Sequence, residues 1–287
     1  MRRRIGVGDI LMAAALLLWS LSVLFPVYNL LVISLTTENA VIRSPVLLFP
    51  KPLILNSYEM VFSNNMLFRG AWVTLLLILI GVPYAMFLNT SLAYALSKNL
   101  PGMKLVGILL VVTLYFGGGL IPFYLLVRSL GLVNSIFSMI LPQGAMVFYV
   151  IILRNFFQGL PPDVEESARI DGAHDLRIYA QIVLPMSMPI IVTIALFVAV
   201  QYWNEWWHCL LFVSVPENQS LQYVLRGIIM EVSTMRGNIP PEYDQSLLYN
   251  EGIKAAVVII TTLPIAVLYP FLQKYFVRGL TAGAVKF

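Results

Sequence analysis

Long apolar runs separated by short polar breaks organise the chain. Six runs approach or exceed 20 residues: 10–35, 70–97, 104–128, 134–157, 185–213 and 252–276. An apolar run of about 20 residues is long enough to cross a bilayer as a helix. None of the six alternates apolar and polar positions as a barrel strand must. A helix closes its backbone hydrogen bonds within one segment, which lipid demands. The pattern therefore predicts an all-α membrane protein with six transmembrane helices. Two longer polar stretches interrupt it. Residues 36–69 contain RSPVLLFPKPLILNSYEMVF, with prolines at 45, 50 and 52, and residues 214–251 contain LQYVLRGIIMEV, a short interfacial helix, followed by GNIPPEYDQ. With no repeat and no soluble module, one membrane domain is expected over 1–287. It comprises a first span with its loop (1–69), core spans (70–276) and a tail (277–287).

Composition agrees. Hydrophobic residues make up 59%, charged residues 11%, and the mean hydropathy is +0.84. Soluble domains carry about 25% charged residues, so this chain has more apolar surface than a water-soluble core can hide. The N-terminus, MRRRIGVGDILMAAALLLWS, opens like a signal peptide. Its apolar stretch is too long for one, and no small-x-small cleavage site follows, so it reads as an uncleaved first span. The net charge of +4 sits at the ends of apolar runs. Such charges are topology signals rather than a nucleic-acid face. With the N-terminus inside, eleven Lys and Arg residues fall on inner segments and seven on outer ones. Both termini are then cytoplasmic.

The charge is unevenly spread. Eight of the 32 charged residues (18 basic and 14 acidic) lie between Arg154 and Arg177. The stretch LPPDVEESARIDGAHDLRIYAQIVLP, residues 160–185, reads as two short helices and a bend. Pro161 and Pro162 suit a helix start, where a missing N–H costs nothing. Asp163, Glu165 and Glu166 place negative charge at the positive end of the helix dipole. Gly172 can take the left-handed conformation that stops a helix, and Asp175 is expected to cap the next. Ser167 and Ala168 are small enough for close approach. The segment is either a plain interfacial helix, although those are usually basic, or a knob that seats in a partner's groove.

The spacing resembles the EAA loop of ABC importer permeases, in which Glu-Ala-Ala, three residues, Gly and nine residues lead to Ile-x-Leu-Pro. Here the positions read Glu166-Ser167-Ala168, Gly172 and Ile182-Val183-Leu184-Pro185, with serine where alanine is usual. QYWNEW in the fifth span and the tail FLQKYFVRGLTAGAVKF are similar to the carbohydrate-uptake, maltose-type (MetI-like) branch. GGGLIPFYLLVRSLGLVNS resembles a subgroup serving plant or algal oligosaccharides. The resemblance covers about 70 to 287. It implies a coupling role toward an ATPase for Glu165, Glu166, Ser167, Ala168, Asp171 and Gly172. It implies tail contacts to the ATPase from Gly279, Thr281, Gly283 and Lys286. The chain ends in Phe287 where glycine is common, which leaves its last contact open. The implied partners are a second homologous permease, two ATP-binding subunits and an extracytoplasmic binding protein that docks near 214–251. The implied setting is a bacterial plasma membrane.

No GxxxxGK[ST], GxSxG or HExxH occurs, so ATP and its Mg²⁺ are expected on a partner subunit and no cofactor on this chain. His174 and His208 lack ligand spacing, which predicts no metal, and the lone Cys209 reads as a packing residue. Gly117-Gly118-Gly119 predicts a helix break or close packing within a span. Glu205 is a charge inside an apolar run, which costs at least about 2.5 kcal/mol on insertion scales and marks a functional candidate. With Trp203 and Asn204 it either lines the path of an oligosaccharide or belongs to an outer aromatic belt. A straight helix would place it about 30 Å from Pro185. Tyr115 and Tyr124 are further path candidates. An ion-gradient-driven secondary transporter is the alternative, but it would want ionisable groups in matching halves.

Overall fold

A computed structural model describes residues 6–44, 47–98, 100–234 and 250–284, with side chains described except at 231–234 and 268–284. The described residues form helices and turns, with no strand among them. In chain order the helices are α1 (Val7–Ser34), α2 (Glu38–Arg43), α3 (Asn56–Phe62), α4 (Asn65–Ser97), α5 (Met103–Tyr115), α6 (Leu120–Ser129), α7 (Phe137–Ile140) and α8 (Val147–Gln158). They continue with α9 (Pro162–Ile170), α10 (Asp175–Ile178), α11 (Leu184–Met186), α12 (Met188–Trp203), α13 (Trp207–Phe212), α14 (Leu221–Thr234) and α15 (Asn250–Ala284).

Two compact units emerge, one from Met1–Leu67 with Leu225–Pro264 and one from Phe68–Val224 with Ile265–Phe287. In the first, α1 is apolar on every side and open on nearly all of them, with Leu18 and Trp19 exposed. A helix greasy all round is stable only where its surroundings are greasy too. Ser34 Oγ and Tyr58 Oη share a hydrogen bond of 2.8 Å, and Ile54 N–H donates to Leu35 O at 2.9 Å, so the loop after α1 folds back on its end. The second unit holds a continuous core from Val73 through Val213, built around α4, α8, α12 and α13. Tyr202 packs over Gly81, where an added Cβ would lie 2.5 Å from the tyrosine ring. Glycine is required there by close approach.

Among the described residues, three helices (α1, α4 and Asn250–Val267 of α15) are long and apolar enough to cross a membrane unbroken, and three bent pairs complete up to six spans. The sequence expectation of six runs is met in number when each bent pair is one span, but the last four runs change in form. The run 104–128 breaks after Tyr115, and its halves meet at 117°. This is the break expected of Gly117–Gly119, with Gly119 at φ +85°. The run 134–157 breaks at residues 144–146 with a 45° bend. The run 185–213 starts inside a helical segment from Asp175, bends by 82° at Ser187 and breaks again after Trp203. Glu205 therefore does not stand at the end of one straight helix from Pro185. The helix α15 continues through the expected span–tail junction at 276 to Ala284.

Broken helices leave backbone groups that lipid cannot satisfy. At 144–146 a buried side chain does so. Asn89 of α4 donates to Gly144 O at 2.9 Å and accepts from Met146 N–H at 2.8 Å. At Gly117 and Gly118 no side chain does so among the described residues. The N–H groups of Gly117 and Gly118 make no hydrogen bond among the described residues.

Candidate functional site

The charged cassette folds into a sharp elbow. Pro162 opens α9 as its first residue, with Asp163 and Glu165 in the first turn. The helix ends in a Schellman motif: Ala173 N–H donates to Ala168 O at 2.9 Å, and Gly172 N–H to Arg169 O at 3.0 Å. Gly172 has φ +81°, the left-handed geometry that glycine alone takes without strain. The expected cap of the next helix is corrected. His174, not Asp175, is the N-cap, and its Nδ1 accepts from Arg177 N–H at 3.2 Å. Asp175 instead pairs with Arg169 at 2.7 Å, tying the two arms of the elbow together. A π-helical segment, Tyr179–Val183, then carries the chain into α11.

The candidate coupling residues divide between two faces of α9. Glu166 and Ser167 are exposed, as are Asp171 and Gly172 in the turn. Ala168 is half-buried and packs on the core of its own unit, together with Ala173. Glu165 turns the same way and forms an ion pair with Lys98 just past the end of α4. Lys98 Nζ also lies 4.6 Å above the ring of Tyr94, which contacts Tyr179 with centroids 5.1 Å apart. Tyr179 in turn hydrogen-bonds Thr90 at 2.7 Å. The inner face of the elbow is thus bolted to the last turns of α4. Its outer face presents Glu166 beside Ile170, which is 82% exposed, while Leu176 on the second arm is 69% exposed. Ile170 and Leu176 were not picked out from sequence. The available signal was a large aliphatic residue inside a dense charge cluster, where a solvated helix has no use for it.

The candidate path residues differ in setting, and Tyr124 is linked to Glu205 through the rings of Phe212 and His208. Tyr115 is exposed at the break before Gly117. Tyr124 is half-buried and stacks on Phe212 at 5.8 Å. Trp203 is half-buried, while Asn204 is exposed and donates to Val200 O at 2.9 Å. Glu205 is buried at 5% exposure and held from four sides. Its carboxylate accepts from Gln143 Nε2 and, at 2.7 Å, from His208 N–H, the second residue of α13. His208 Nδ1 lies 3.0 Å from the same carboxylate, and Ser220 Oγ donates to Glu205 O. Gln143 is fixed further by donation to Met139 O at 2.8 Å and acceptance from Gln201 at 2.9 Å. Glu205, one residue before the N-cap Trp206, therefore satisfies a first-turn N–H of α13 at the break where α12 ends. Gln143, missed in the sequence, was a polar residue inside an apolar run, the same signal that flagged Glu205.

Of the tail candidates, Gly279, Thr281 and Gly283 lie on α15, with side chains outside the described residues, and Lys286 lies outside them altogether. Among the described residues no group of His, Cys, Asp and Glu could hold a metal.

Residues 60–282 match the binding-protein-dependent transport system inner membrane component family. The chain is 38% identical to the polygalacturonan/rhamnogalacturonan transport system permease protein YtcP of Bacillus subtilis (strain 168), covering 97% of this chain and 98% of that protein. It is 39% identical to Protein LplC of the same organism over 88% of this chain and 86% of that one. Its fold superposes with a TM-score of 0.83 and 28% identity on a chain of a bacterial ABC transporter involved in the import of the acidic polysaccharide alginate, covering 96% and 99% of the two chains. The ion-gradient alternative therefore falls away. The chain belongs to the binding-protein-dependent inner membrane components and is a membrane-embedded permease of an ABC importer.

Proposed function

We propose that this permease imports acidic oligosaccharides released from uronate-rich polysaccharides, and that it receives its driving force through the outer face of the elbow. The elbow carries the reading: a rigid, Schellman-terminated knob that presents Glu166, Ser167, Asp171, Ile170 and Leu176 to a partner while its inner face is locked to α4. Two ATP-binding subunits hold ATP and Mg²⁺ and take the two elbows of a permease pair. The second permease is a homologous chain, and a binding protein delivers the sugar from outside. Both termini and the elbow face the cytoplasm, as the Lys and Arg distribution favours. This chain itself carries out no hydrolysis. The tail residues Gly279, Thr281, Gly283 and Lys286 reach toward the ATPases.

The acidic substrate class is supported by the relatives, since polygalacturonan, rhamnogalacturonan and alginate all contain uronate sugars. A path beside the break at Tyr115 is supported by the exposed backbone that follows it. Unsatisfied backbone N–H groups at Gly117 and Gly118 are tolerated at membrane depth only where water or another protein chain meets them.

The test is uptake into proteoliposomes holding the permease pair, its ATPase and its binding protein. Galacturonate oligomers are expected to enter only with ATP, and neutral arabinose oligomers at no more than a tenth of that rate. Glu166→Lys is expected to leave ATP binding intact and to lower ATP-driven uptake at least tenfold. Equal uptake of the neutral oligomers would remove the acidic class, and normal coupling in Glu166→Lys would remove the docking role.

A further inference from the structure

A cavity of about 680 Å³ opens at the charged end of α5. It lies in the second unit, between the end of α4, the first turns of α5 and Arg154 of α8. Its mouth carries Lys98, Lys104 and Arg154, and none of its lining residues is acidic. Its wall continues along Ile108, Val111 and Val112. With Lys104 these stand at i, i+4, i+7 and i+8, one face of a helix. Lys104 to Val112 spans about 12 Å along the axis. The slot therefore runs from a cationic mouth to an apolar floor over the length of a phospholipid headgroup and its first acyl carbons.

The three cations are not equally committed. Lys98 is held by Glu165, and Arg154 spends its Nε on Leu96 O at 3.1 Å. Lys104 makes no hydrogen bond or ion pair among the described residues. The ammonium of Lys104 and the remaining N–H groups of Arg154 have no acceptor among the described residues.

We propose that this cavity holds one anionic glycerophospholipid, its phosphate on Lys104 and Arg154 and an acyl chain along Ile108, Val111 and Val112. Charge complementarity selects this occupant. A free phosphate would leave the apolar wall uncovered, and a zwitterionic lipid would bring a further cation to a mouth where Lys104 and Arg154 face no acidic lining residue. Basic pockets at the ends of membrane helices favour acidic headgroups, by about fivefold for each basic residue near the surface. The site requires only that the chain sit in a membrane. It does not depend on the sugar or on the ATPase contacts, so a failed uptake assay would leave it standing.

Native mass spectrometry of the assembled transporter, titrated with phosphatidylglycerol or phosphatidylcholine, tests the site. The wild-type complex is expected to retain phosphatidylglycerol several-fold over phosphatidylcholine, and Lys104→Gln to weaken that retention about fivefold. Gly107→Leu should block it without touching a charge. A Cβ at Gly107 meets only Leu96 Cδ2, at 3.8 Å, so the first added carbon is accommodated and the rest fills the slot. Arg128→Gln, at the end of α6 and outside the cavity, should change nothing. Excess inorganic phosphate should not displace the lipid. Equal retention of the two lipids, displacement by inorganic phosphate, an unchanged Lys104→Gln, or no lipid retained by the complex because a second subunit covers the slot would each overturn the proposal.

Discussion

Glu205 illustrates what a charge inside a span can mean. Such a group is worth keeping only where its interactions offset the insertion cost. Here the carboxylate is saturated by Gln143, the N–H of His208 and the His208 ring. Its geometry is that of a positioning residue, which fixes the junction of α12 and α13. Glu205→Ala leaves the His208 N–H and the Gln143 amide without this acceptor. A buried donor left unpaired costs about 1–3 kcal/mol, and intramembrane hydrogen bonds average about 0.6 kcal/mol. A loss of about 2 kcal/mol is expected, read as a melting temperature lowered by several degrees in detergent. The Glu205→Ala/Gln143→Ala double variant should lose less than the sum of the single ones, since both break one contact. A residue that instead met the sugar would shift the KM for uptake and leave the melting temperature alone.

At the level of elements, the elbow was more legible in the sequence than the spans. Proline at the first turn, acids beside it and glycine at the stop are local signals, and they act where they were read, except that Glu166 falls beyond the first turn. His174 displaced Asp175 as cap because Asp175 was drawn to Arg169, a competition that spacing alone does not rank. The break at 144–146 was illegible for a different reason. Its backbone is satisfied by Asn89, which lies 55 residues from Gly144. The Glu205–Gln143 contact likewise joins residues 62 apart. Hydropathy finds apolar runs and is blind to such pairings. The stop at Gly172 makes a sharp prediction. Its φ is +81° and nothing lies within 4 Å of an added Cβ, so substitution acts through the backbone alone. Gly172→Ala should cost about 1 kcal/mol and lower uptake per ATP hydrolysed. Gly172→Asn should recover part of both, because asparagine tolerates the left-handed region. Equal loss in the two variants, with unaltered stability, would mean that a partner needs the bare glycine surface.

For the molecule as a transporter, the question is how motion at the elbow reaches the spans. Contacts within the second unit offer one short route. Glu165 pairs with Lys98, Lys98 sits over Tyr94, and Tyr94 meets Tyr179, which bonds Thr90. Both ends of α9 thereby act on the last turns of α4, one through the ion pair and the other through the segment after α10. Rigid transfer needs links that hold while the elbow is pushed, and a partly buried ion pair contributes only about 1 kcal/mol to stability. Its value lies in direction rather than in strength: it fixes which face of α9 can follow α4. Reversing either charge alone, Lys98→Glu or Glu165→Lys, places like charges together and should lower ATP-driven uptake several-fold while ATPase activity persists. The double reversal restores the attraction, although Tyr94 then loses the cation over its ring, so uptake should return in large part but not fully. The ratio of sugar imported to ATP hydrolysed, measured in proteoliposomes for all four proteins, separates this outcome from simple loss of assembly, which would lower both quantities together. If the double reversal is as poor as the worse single variant while the ATPase remains bound, Glu165 acts on the ATPase directly and the link to α4 is incidental.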